Sequence, residues 1–121
     1  MQKYGFDEVA WEAAKTEGTS VLIACARERK MIPYSEFIQH LRSVAFEGPH
    51  DPPLRPFLGE ISKTEALAGR GMLTALVVHK RGDYQPGPGF FELAKSLGHN
   101  ISDIEKFWIQ EVKKVFAAWQ T

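Results

Sequence analysis

The 121-residue chain has the length of one domain, and at 44% hydrophobic residues, with three Trp, three Tyr and eight Phe, it carries enough apolar side chain to fill a core. Fifteen Lys and Arg balance fifteen Asp and Glu, which excludes a binder working through bulk positive charge and leaves any nucleic-acid contact to a local patch. Cys25 is the single cysteine, so no intrachain disulfide forms; with no apolar leader and no stretch of about 18 apolar residues, the expected setting is the cytoplasm, without a membrane partner.

Asp7 to Lys15 reads as a helix with Ala10, Trp11 and Ala14 inward, and Gly18 is the expected stop. Thr19 or Ser20 then caps a second helix to about Arg29, with Val21, Leu22 and Cys25 inward and Arg27, Arg29 and Lys30 at the negative end of its dipole. Met31-Ile32 is extended, because Pro33 excludes the helical region for the residue before it. A third helix runs from Tyr34 or Ser35 to about Val44 along Phe37, Ile38 and Leu41. Glu47 to Pro53 has loop composition.

Asp51-Pro52 has the form of an N-cap followed by a proline in the first turn. Leu54, Phe57, Leu58 and Ile61 follow at helical spacing. The stretch to Ala68 is either one bent helix or two short ones broken near Ile61, and Gly69 and Gly71 end it. Met72 to Val78 is a short apolar run, expected as a strand covered on both faces. Arg81 to Gly89 turns the chain, Phe90-Phe91 pairs back briefly, and a helix continues to Leu97 and Gly98. Ser102-Asp103-Ile104-Glu105 is a capping box for a last helix, about 102–119, with Phe107, Trp108, Val112, Val115, Phe116 and Trp119 as its apolar stripe.

These parts describe an α+β chain, mostly α: a single domain, 1–121, with a winged-helix-like core at about 19–91, a short β-wing, and flanking N- and C-terminal helices.

Two segments, Ile32-Pro33-Tyr34-Ser35-Glu36 and Val77-Val78-His79-Lys80, resemble the winged-helix DNA-binding domain of alkylguanine-DNA alkyltransferases and alkyltransferase-like proteins. In that family a Tyr-Gly-Glu or similar segment opens one helix, and a buried strand ends in Pro-Cys-His-Arg before a glycine-rich loop. Tyr34 and Glu36 match the first motif, His79-Lys80 the His-Arg step, and Gly82 with Gly87 and Gly89 the loop. The family's proline and reactive cysteine fall on Val77 and Val78, and a valine supplies no nucleophile, so alkyl transfer at that position is excluded. The resemblance spans about half the chain and implies a winged helix and DNA binding without chemistry. The whole also has the general look of small bacterial proteins.

Charge is unevenly spread. Arg55 to Arg81 holds five basic residues (Arg55, Lys63, Arg70, Lys80, Arg81) against Glu60 and Glu65, whereas Met1 to Glu17 holds two against four acidic ones. The expected DNA contacts are Tyr34 at the helix start, Arg55, Lys63 and Arg70 on segment 53–70, and His79, Lys80 and Arg81 at the root of the wing. Alternatives stay open: the basic residues also fit a solvated face, His79 a strand end satisfied by backbone or a base paired with Glu60, and Trp108 and Trp119 either core or a partner surface. His40, His50 and His99 share no metal-ligand spacing. No residue is assigned as catalytic, and no metal or cofactor is expected. The expected function is non-enzymatic binding of double-stranded DNA; the alternative is a winged-helix module that docks on a protein partner.

Overall fold

The computed structural model describes residues 2–80 and 85–120. A two-residue antiparallel ribbon, β1 (Gln2–Lys3) and β2 (Phe6–Asp7), opens the chain, and α1 (Glu8–Arg27) follows at once. Asp7 accepts a hydrogen bond from the Ala10 amide at 3.2 Å and so caps α1. The helix does not stop at Gly18, and no second cap is used at Thr19 or Ser20. A Cβ on Gly18 would lie 3.0 Å from Phe37 Cζ and 3.4 Å from both Ile61 Cδ1 and Leu41 Cδ2. The glycine therefore marks where three side chains press against the helix backbone, not where the helix ends. At the true end Arg29 takes φ +55°, the Lys30 amide donates to Cys25 O, and the Arg29 amide donates to Ala26 O. These are the paired bonds of a Schellman motif.

β3 (Ile32–Pro33) leads into α2 (Tyr34–Gln39), which is shorter than its apolar pattern suggested; Leu41, Val44 and Phe46 are buried from an irregular stretch instead. α3 (Leu54–Leu67) is one continuous helix. Asp51 does not cap it: its carboxylate accepts from the Glu47 amide at 2.8 Å and closes the loop on itself. Gly69, at φ +82°, ends α3 while the Arg70 amide donates to Glu65 O.

The apolar run Met72–Val78 is buried, as expected of a covered strand, but only its end is a strand. Leu73–Leu76 is a 3-10 turn, and β4 (Val77–Val78) pairs in parallel with β3, with Ile32 opposite Val77 and Pro33 opposite Val78. Side chains from two helices meet the backbone groups that a sheet would have paired. Ser62 Oγ accepts from the Thr74 amide at 3.0 Å and shares a second hydrogen bond with the Thr74 hydroxyl. Trp108 Nε1 donates to Ala75 O at 2.8 Å. A buried amide or carbonyl needs a partner wherever it can be found, and here the partners let the run stay irregular inside the core.

Phe90 and Phe91 do not pair back as a strand; they lie in α4 (Pro88–Ser96), with Pro88 in its first turn. α5 (Ile104–Ala118) is capped by Asp103, which accepts from the Lys106 amide at 3.1 Å. Its Phe107, Val112 and Val115 are buried, while Trp108, Phe116 and Trp119 pack half-buried against the same core. The molecule is mostly helical, with two short two-stranded ribbons among the described residues. Among the described residues no helix is long and apolar enough to cross a membrane.

Candidate functional site

Because β3 and β4 run in parallel and in register, the residues that follow them emerge side by side. Tyr34 follows β3 and His79 follows β4; their rings stack at 4.5 Å between centroids and 28° between planes. His50, carried by the loop before α3, lies nearly parallel to His79 at 5.9 Å. Three aromatic rings from three distant stretches of sequence thus form one ladder.

The chain beyond β4 is fastened to that ladder. The His79 amide donates to Gln85 O at 3.0 Å, and Tyr34 Oη accepts from the Gly87 amide at 2.8 Å. A Cβ on Gly87 would come within 3.2 Å of His79 Nε2 and 3.4 Å of Tyr34 Oη, and one on Gly89 within 2.5 Å of Arg55 Nε. The glycines, expected as part of a turn, let this backbone lie against the protein's own side chains.

Around the ladder is a cavity of about 480 Å³, lined among others by Tyr34, His50, Arg55, Thr74, His79 and Phe90. Burial pushes the Tyr34 phenol up from its ordinary pKa, although the Gly87 amide and the Arg55 charge pull the other way. Burial also holds His79 below its ordinary value, with the charge of His50 adding to the effect. At neutral pH the wall is therefore an uncharged phenol on an uncharged imidazole, beside a guanidinium. This set can stack on a flat group and exchange hydrogen bonds with it. Val78, the residue before His79, is fully buried.

The structure gathers Tyr34, Arg55 and His79 at one place; Lys80, the next residue after His79, is exposed and does not line the cavity. Arg55 is more than half exposed, with Glu92 Oε2 at 3.4 Å from its Nη2. Lys63 is exposed on α3 and does not line the cavity. Arg70 is held elsewhere: its Nε donates to Glu65 Oε2 at 2.6 Å and its guanidinium lies 5.5 Å from the Trp119 ring centre. Arg81 falls outside the described residues. His79 has its backbone amide satisfied, and its ring neighbours are aromatic; Glu60 lies with Lys3, Trp11 and Lys15 instead, each donating to its Oε1 at 3.0 Å. Among the described residues no group of three or more His, Cys, Asp or Glu side chains is placed to hold a metal ion.

His50, Thr74 and Phe90 belong to the site without having been singled out for it. A histidine in Pro-His-Asp-Pro carries no periodic or motif signal, and only the tertiary fold brings it to His79. The chain matches no known family model, no curated protein and no solved structure.

Proposed function

We propose that this chain is a non-enzymatic, winged-helix-like DNA-binding protein that contacts duplex DNA with the N-terminal end of α3 and the rim of the Tyr34–His79 cavity. The observation that carries the reading is the convergence of Tyr34, His79 and Arg55 on one cavity, with Lys80, the next residue after His79, exposed. A hydroxyl, an imidazole and a guanidinium at one cavity, followed in the chain by an exposed lysine, suit contact with phosphate and with a neighbouring base. Lys63 extends the basic surface along α3. The resemblance of Ile32–Glu36 and Val77–Lys80 to alkyltransferase-like proteins points the same way. Val78 in place of a nucleophile supports binding over reaction.

Fluorescence anisotropy with a labelled duplex tests the proposal. Binding should weaken as salt rises, and removing Arg55 or Lys80 should flatten log Kd against log salt by about one unit each. Absence of binding at low salt overturns the reading.

A protein partner is the second reading. It is favoured by the zero net charge and by Val9 and Leu67, which are 77% and 73% exposed.

A further inference from the structure

The loop between α2 and α3 forms one side of the cavity through Pro49, His50, Asp51 and Pro52. Arg42 and Ser43, early in the loop, are held by the Glu17 carboxylate of α1, but the hydrogen bonds of the 47–53 stretch are local: Asp51 Oδ2 accepts from the Glu47 amide, the Asp51 amide donates to Gly48 O, and the Leu54 amide donates to Asp51 O. What ties the loop to the opposite wall is the His50 ring on His79, which in turn lies on Tyr34.

We propose that His50 and His79 form an acid-released latch: with both imidazoles uncharged the 47–53 loop stays stacked on the wall, and when both take up protons the loop leaves His79 and the cavity opens.

The surroundings make the doubly charged stack unfavourable. Arg55 lines the cavity from α3 and Lys80 follows His79 in the chain, both positive. Tyr34 contributes a neutral phenol already engaged by the Gly87 amide. Of the acidic groups nearby, Asp51 is turned to the Glu47 amide and Glu92, on α4, lies toward Arg55. Among the described residues no ion pair joins either imidazole to a carboxylate. A protonated pair would stand 5.9 Å apart, and among the described residues no carboxylate is paired with either ring.

The sign follows from linkage. In the closed state His79 is held below its ordinary 6.5, by burial first and by His50 second. Opening relieves both effects, so the open state binds protons more readily. Closure is therefore complete above the open-state value and is lost as pH falls through it toward the lowered one. Each unit of difference between the two values shifts the opening equilibrium about tenfold. The latch would make exposure of the Tyr34–His79 wall depend on pH whatever ligand the wall serves.

Hydrogen exchange of the intact protein at pH 7.5 and 5.5, corrected for intrinsic rates, together with histidine NMR titration, tests this without any DNA. Exchange in residues 47–53 should rise at least severalfold on acidification in the wild type. His50→Phe keeps a ring on His79 without a titrating group, so its loop should show a clearly smaller acid-induced rise than the wild type. His50→Gln should reduce the pH dependence, whatever its baseline, and move the His79 midpoint upward. Equal wild-type protection at both pH values, an equal acid-induced rise in His50→Phe, or an unmoved His79 midpoint in His50→Gln would each overturn the latch.

Discussion

Glu111 on α5 accepts a hydrogen bond from the Met72 amide at 2.8 Å, joining the last helix to the first residue of the buried run. Both ends are hidden, with Glu111 only 5% exposed. An acceptor on α5 thus does for Met72 what a neighbouring strand would do in a sheet, and it does so as the run enters its 3-10 turn.

Glu111→Ala leaves that amide buried and unpaired and opens space against Gly71 and Val115. It should lower unfolding stability by about 2–3 kcal/mol, read from urea denaturation, whereas Glu111→Gln, which still offers a carbonyl, should lose about 1 kcal/mol.

Gly18 yields a second expectation. On an exposed helix face a larger residue in place of glycine would gain about 1 kcal/mol from helix propensity. Here the first added carbon already meets Phe37, Ile61 and Leu41, so the two further methyls of valine have to be fitted among them. Gly18→Val should destabilise the fold by about 1–3 kcal/mol in the same denaturation assay, the cost of overpacking.

Reading the sequence captured elements whose signals are local. α5 follows from an acidic cap and an apolar stripe, and the end of α3 from its glycines. The continuous α1 was missed because a glycine's local stop signal was overridden by side chains from α2, α3 and the loop between them. The 3-10 turn was missed for a different reason. A seven-residue run, apolar but for Thr74, has no period to distinguish helix from strand, and the groups that settle the matter, Glu111 and Trp108, lie 39 and 33 positions along the chain from their partners. At the site, Tyr34 and His79 were legible as individual residues. Their contact was not, because it depends on a parallel pairing of two residues with two.

Tyr34→Phe separates the two duties of that side chain. The ring still stacks on His79, but the Gly87 amide loses its acceptor. The expected stability loss is about 1 kcal/mol, and amide exchange should rise at Gly87 while the Phe37 and Phe57 core stays protected.

The basic residues should divide in two. Arg55→Ala and Lys80→Ala should each reduce the salt dependence of duplex binding and leave the thermal midpoint nearly unchanged, because both side chains are exposed. Arg70→Ala should behave in the opposite way. Its guanidinium is occupied by Glu65 and Trp119, so its removal leaves a buried carboxylate unpaired and should lower the thermal midpoint with little change in the salt slope. Thermal melts and anisotropy on the three variants give the comparison.

Acid should act on a further contact. Burial alone would push the Glu60 carboxyl up, but the donors on Trp11, Lys15 and Lys3 outweigh it and hold the group below its ordinary 4.5. A carboxyl lowered by folding adds stability above its unfolded-state value and loses that contribution as pH falls through the folded one. Below about pH 4.5 the link from β1 and α1 to α3 should therefore weaken in the wild type. Glu60→Gln should show a smaller drop in stability between pH 6 and pH 3.5, measured by urea denaturation at each pH.

The pairing of Ile32 with Val77 also bears on the order in which the chain assembles. Two short strands joined over so long an intervening stretch gain little until α3 has brought their ends together, since the entropy of closing that loop must be overcome before any bond is made. The ribbon should therefore close after the helices dock, and truncating Val77 should accelerate unfolding far more than it slows folding.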